Sequence, residues 1–198
     1  MGLELNYEDG QTPLDEEEKE GLLIKTITTH QELDEFEQLN IEQAIQWLMK
    51  RKLKKEKILT EEFIKNLHKK MFDKVWKWAG QFRKSEKNIG VKWVNIGVDL
   101  KYLLDDTNYW IKNKIYSCDE IAIRFKHRLV NIHCFPNGNG RHSRIMADLI
   151  IESIFKELIF SWNHSNMVKA DETRKKYIEA IREGDKGNIL PLIDFARK

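Results

Sequence analysis

Cysteine is nearly missing from this chain. Cys118 and Cys134 are the only two, with neither a Cys-x-x-Cys pair nor a Cys/His zinc spacing between them. That excludes a disulfide framework and a sulfur-held metal, and it favours free thiols in a reducing compartment. No run of eighteen apolar residues occurs, so the sequence offers no membrane-spanning helix, and no charged-then-apolar leader opens it. A cytoplasmic location without membrane contact is the expectation. Neither sign of charge prevails: 34 Lys+Arg against 32 Asp+Glu leave +2, too balanced to imply nucleic acid or membrane as a partner from bulk charge. The basic stretch KRKLKKEK at 50–57 has no interleaved aromatics and no reading motif, so it is taken as a solvated helix end and nucleic acid as an unlikely partner. Internal repeats, low-complexity tracts and Pro/Ser-rich linkers are also lacking, which leaves nothing to split the chain.

What is present suits one folded unit. The 198 residues are 41% hydrophobic and 10% aromatic, with six Trp, enough to build a substantial core and to rule out a disordered chain. Residues 1–28 hold DGQTP and the acidic DEEEKE and are expected to form an exposed arm with a short helix after Pro13. Thr29 followed by Glu32 makes a capping box that opens a helix over 29–53, and Thr60 opens a second one ended near Gly80. Further helical patterns begin at Asp99, Asp119, Asn139 and Asp171 and around Ile189. Between them, GQFRKSEKNIGVKWVNIG has turn residues at its middle and apolar residues on either side, the composition of a short hairpin. The fold class is all-α with one short β-hairpin.

The densest chemistry lies in HCFPNGNGRHSR, residues 133–144. Ile121, Phe125, Leu129 and Ile132 share one face of a helix, so His133 arrives at the end of an anchored element. Apolar periodicity resumes at Ile145, which makes PNGNGR a turn and Asn139 to Arg141 the start of the next helix. Unpaired N–H groups and the positive end of the helix dipole converge there, and Gly138 and Gly140 allow close approach of a ligand; phosphate is the fitting guest. Arg141 and Arg144, one turn apart, can clamp further oxygens. A neutral His133 at the lip could take a proton from a hydroxyl attacking the bound phosphate. The residues therefore point to phosphoryl or nucleotidyl transfer. Phe135 is read as a core anchor for the loop and Cys134 as a small buried residue. His127, His133 and His142 lack the spacing of a zinc site.

The same residues resemble the signature of the Fic family, HPFx[D/E]GNGRxxR, at the His, the Phe, the whole GNGR and the final Arg. TPLDEEEKEGL, NIEQA, VWKWAGQFR and EKNIGV extend the likeness, which is closest to the branch called mobile mystery protein B. This resemblance implies an all-α Fic-type domain over 29–198 that transfers AMP from ATP to a Tyr, Ser or Thr hydroxyl of a target protein. It implies His133 as general base and Gly138, Asn139, Gly140, Arg141 and Arg144 as the phosphate site. It also implies a target-binding flap at Ile89, Gly90 and Val91 that pairs with an extended segment by strand addition. Two positions depart from the pattern. Asn137 stands where the family has Asp or Glu and brings no charge to Mg²⁺ or Mn²⁺, so metal affinity should fall; Cys134 replaces a Pro. These leave open a transferase or deAMPylase acting on a different phosphate donor, a weak nucleotide- or partner-binding Fic protein, and a homodimer.

On the 29–53 helix, Glu37 and Asn40 fall within the apolar stripe of Phe36, Ala44, Trp47 and Leu48. A carboxylate there is costly unless paired, and the arginine cluster is the nearest need for an anion. Fic proteins often carry an inhibitory Glu that pairs with the last signature Arg, and Glu37 is expected in that role, although Leu33 and Gln38 depart from its [S/T]xxxE[G/N] motif. A core-edge Glu bonded elsewhere is the alternative, and Glu183 is a rival.

Overall fold

A computed structural model describes residues 12–51, 53–163 and 170–198. Among the described residues, four helix starts follow from a capping side chain. Asp15 accepts from the Glu18 N–H at 2.8 Å and opens the short α1 (Glu16–Glu20). Thr29 and Glu32 form the expected reciprocal box at the head of α2 (His30–Met49), with Glu32 also accepting from the Thr28 N–H at 2.9 Å. A single turn, α3 (Lys55–Ile58), precedes Thr60, which caps α4 (Glu61–Phe72). α5 (Ile96–Asn113) leads to α6 (Cys118–Ile132), capped by Ser117, and to α7 (Asn139–Leu149), which runs on as a π-helical turn over Ile150–Phe155. α8 (Ala170–Asp185) and α9 (Leu190–Arg197) complete the chain.

α6 is the central post. Ile121, Ala122, Ile123, Phe125, Leu129 and Ile132 are all buried, so apolar residues lie all round it rather than on one stripe. α5 and α7 pack beside it, α2 covers α4, and α9 lies against both α8 and α6. This fixes the two ends that matter: the C-terminus of α6 and the N-terminus of α7 face the same opening.

Two expectations are corrected. Residues 12–28 are not an exposed arm: Leu14, Leu22 and Ile27 are buried in the core, and α1 is tied down by Lys87 on Glu18 and by Ser85 on Asp15. Residues 1–11 lie outside the described ones. The β-hairpin over 83–98 is also not formed. Donors in this loop pair with carbonyls at and just beyond the C-terminal end of α6, Arg83 N–H to Cys134 O at 2.9 Å and Val91 N–H to Ile132 O at 3.4 Å, instead of with each other. Trp93–Asn95 is a 3-10 turn and α5 already starts at Ile96, so the second half of the expected hairpin is helical. The strand-like pairing among the described residues is an isolated antiparallel bridge between Leu22 and Trp76.

Candidate active site

α6 ends because His133 turns left-handed, with φ 56° and ψ 60°. Such a turn costs energy for a non-glycine residue and persists only where the surroundings hold it. His133 is 4% exposed, and neither ring nitrogen meets a partner in good hydrogen-bond geometry, although the Val130 main chain lies close enough to offset part of the effect of burial. Burial, together with the nearby Arg83 charge, lowers its pKa from 6.5 to about 4, so the ring is neutral at physiological pH.

The loop that follows is locked from below. Phe135 is fully buried and stacks on His68 with ring centroids 3.7 Å apart. Its N–H and C=O are both taken by the Asn139 side chain, at 2.9 and 2.7 Å. His68 accepts from the Gly80 N–H at 3.0 Å, which leaves its Nε2–H to donate to Asn137 O at 3.0 Å. Gly138, at φ 77°, makes the last turn, and a Cβ there would sit 2.4 Å from the Phe72 ring, so only glycine fits. α7 then begins with no side chain capping it, which leaves its first N–H groups free to meet a ligand.

His133, Asn137, Gly138, Asn139, Gly140, Arg141 and Arg144 all line one cavity of about 1090 Å³, together with Ile89, Gly90, Val91 and Glu37. The expected site residues are thus brought together, with three changes of role. The Asn139 side chain staples the loop, so only its main chain remains for an anion. Arg141 is paired: Glu37, 1% exposed, holds it at 2.5 Å and also accepts from the Trp76 indole N–H at 2.5 Å, while Phe72 lies 5.1 Å under the guanidinium. The resemblance implied Arg144 as the partner of an inhibitory Glu; here Glu37 meets Arg141. Arg144 lies 5.6 Å from the centre of the Tyr177 ring and has no carboxylate partner among the described residues. Asn40 has a plainer task, with its amide bridging Lys70 O and the Lys74 N–H at 3.0 and 2.9 Å.

The other histidines are engaged elsewhere. His142 bonds Ile64 O at 3.0 Å, and His127 bonds Asp185 at 2.9 Å. At the signature position expected to hold a divalent ion stands the neutral Asn137 amide oxygen, and that atom already accepts from the Gly138 N–H at 2.5 Å. No group of three His, Cys, Asp or Glu among the described residues could form a cage. These residues fit an ion carried mainly by phosphate oxygens, not one held by the protein alone.

The sequence reading missed the far wall. Tyr177, Ile178, Ile181 and Asp185 of α8 also line the cavity. The signal was the pair of apolar residues one turn apart, Ile178 and Ile181, in the helical pattern that begins at Asp171. Arg83 was quoted only as part of a likeness, yet it is buried directly behind His133.

With this geometry in hand, comparisons with known proteins agree on one fold. Over 176 residues, 86% of this chain and 32% of the relative, the sequence is 24% identical to a protein named protein adenylyltransferase Fic from Aedes aegypti. A protein of the same name from Nematostella vectensis is 24% identical over 88% of this chain and 39% of its own length. The chain thus spans about a third of the length of these curated relatives. Among solved structures, BepC from Bartonella tribocorum with bound AMPPNP superposes with a TM-score of 0.68 at 17% identity, covering 92% of this chain and 97% of that one. No helix among the described residues is long and apolar enough to cross a membrane. Residues 58–151, from the end of α3 through α4, the signature loop and α7, match the Fic/DOC family.

Proposed function

We propose that the chain is a protein adenylyltransferase that moves AMP from ATP to a Tyr, Ser or Thr hydroxyl of a target protein in the cytoplasm. The observation that carries this reading is a neutral imidazole with two unpartnered nitrogens sharing a cavity with the uncapped start of α7. The phosphates of ATP lie against the first N–H groups of α7, where the helix dipole favours negative charge, and Arg144 meets further oxygens with its planar fork. The apolar wall of Tyr177, Ile178 and Ile181 suits the base. An incoming hydroxyl gives its proton to His133 as its oxygen bonds to the α-phosphorus; the bond from that phosphorus to the bridging oxygen breaks, and pyrophosphate leaves. Negative phosphates beside the ring raise its proton affinity from the depressed value at the moment of transfer. Mg²⁺ or Mn²⁺, held by phosphate oxygens with Asn137 as a weak extra donor, would neutralise charge on the leaving group.

Glu37 acts as a brake in this reading, by keeping Arg141 turned toward α2 and out of the phosphate site. The helix α2 is then the regulatory part of the same domain. A second reading, a nucleotide-binding protein with little transfer, is favoured by the neutral Asn137 with its oxygen already on Gly138.

Intact-mass spectrometry after incubation with ATP and Mg²⁺ or Mn²⁺ tests both. A gain of one AMP is expected in Glu37→Gly, and in Glu37→Gln, which keeps an acceptor for Trp76 while losing the charge; the wild type gains less and His133→Ala none. No gain in any form, with ATP still bound, would replace the first reading with the second.

A further inference from the structure

Behind the catalytic histidine lies a charge that the proposed chemistry leaves unused. Arg83 is 2% exposed, and a guanidinium so far from water requires that its donors be met. Main-chain carbonyls meet them. Nε donates to His133 O at 2.6 Å, one terminal nitrogen to Ser85 O at 2.8 Å, and the other to Val91 O and, at 3.5 Å, to Ile132 O. Ile132 and His133 end α6, where the last carbonyls lack helical donors and the dipole is negative, so a cation is favoured there. The nearest carboxylate, Glu86 at 3.8 Å, is exposed and contributes little.

The same guanidinium holds the loop that passes the active-site mouth. Val91 is gripped through its carbonyl, and its N–H donates to Ile132 O at 3.4 Å. Gly90 has φ 109°, and a Cβ there would lie 2.7 Å from His133 Cβ and 2.8 Å from an Arg83 nitrogen. The backbone at 90 therefore runs in contact with the stem of the histidine, while Ile89 is 46% exposed at the cavity edge.

We infer that Arg83 is a positioning residue which fixes the loop Asn88–Val91 at a set distance from His133, so that a protein segment laid along this loop presents its hydroxyl to the imidazole. What the loop carries rests on the transferase reading; the clamp does not. Lysine is no substitute, because a compact ammonium lacks the planar fork that reaches these four main-chain carbonyls. The charges acting on His133 are Arg83 and Lys87 of the loop, with Lys87 paired to Glu18 of α1; the cavity it lines also holds the Glu37–Arg141 pair, Arg144, His30 and Asp34 of α2, and Arg174, Tyr177, Arg182 and Asp185 of α8.

The test compares full-length wild type, Arg83→Lys and Arg83→Gln by amide hydrogen exchange and by NMR titration of the histidine rings. In both variants exchange at Val91 should accelerate about tenfold or more, the scale of one charge-assisted hydrogen bond. His133 should titrate at a higher pH in Arg83→Gln, which lacks the neighbouring charge, and stay near its wild-type position in Arg83→Lys. ATP affinity should not change. Unaltered exchange at Val91, or an equal displacement of the His133 titration in both variants, would overturn the inference. Gly90→Ala keeps the Arg83 charge but crowds its guanidinium and the His133 stem, so faster exchange at Val91 is expected, and unaltered exchange there overturns the inference should the Arg83 variants fail to fold. Absence of AMP transfer in the mass assay removes the transferase reading and leaves the exchange result standing.

Discussion

At the scale of single residues, the site is defined by which polar atoms are satisfied and which are not. Glu37, Asn40, His68 and Asn139 are buried and fully engaged, whereas the ring nitrogens of His133 have no partner. A buried group with unmet bonds carries a cost that a structural role does not explain. Asn137 is the residue at which a single substitution should do most for the chemistry. Asn137→Asp places a carboxylate where the amide oxygen now sits, and the added Coulomb attraction should lower the Mg²⁺ concentration for half-maximal transfer by at least about tenfold. Automodification rates across a Mg²⁺ series, in a Glu37→Gln background, read this directly; an unchanged Mg²⁺ dependence would show that the ion is held by the nucleotide alone.

Elements set the second scale, and here the two glycines of the turn behave differently. Gly138 requires its positive φ and has the Phe72 ring against its vacant side, whereas a Cβ on Gly140 meets nothing within 4 Å. Gly138→Ala should therefore cost about 2 kcal/mol or more, through strain and overpacking. Gly140→Ala, in the first turn of α7, should leave stability unchanged or raise it by up to about 1 kcal/mol. Its effect should appear instead in ATP affinity, because in the proposed reading the added methyl stands where phosphate approaches the backbone. Thermal unfolding and calorimetric titration of the two variants separate these outcomes. Equal loss of stability in both would contradict the view that only one of the glycines is structural.

Across the whole molecule, burial of histidine makes stability depend on pH. His133 and His142 have pKa values lowered to about 4, and those of His68 and His127 are also lowered, in each case chiefly by burial. A depressed histidine stabilises the folded state above its ordinary value of 6.5, and that contribution is lost as pH falls, because the unfolded chain takes up the protons first. Asp148 acts in the opposite sense, since burial raises its pKa to about 6 and the folded state then binds the extra proton. Several histidines outweigh one aspartate. Unfolding free energy should fall between pH 6.5 and 4, by about 1.4 kcal/mol per pH unit for each proton of net difference. Denaturant titrations at a series of pH values check this, and a flat profile over that range would mean that the histidines are not held neutral.

Sequence by itself determined the local decisions. The capping residues Asp15, Thr29, Thr60 and Ser117 start their helices because a side-chain oxygen within three residues satisfies an end N–H, which is a contact the chain carries with it. The turn from His133 to Gly138 and the opening of α7 were legible for the same reason, since glycine and the change of apolar period mark them. Tertiary structure decided what distant segments do to one another. The carbonyl end of α6 drew in the donors of residues 83–91 and prevented a hairpin that composition alone favours. Glu37 found Arg141 rather than Arg144, and Tyr177 came to wall the cavity, because helix packing sets which side chains meet across more than thirty residues of chain. Periodicity reports which face of a helix is buried; which partner that face meets is fixed only when the helices pack together.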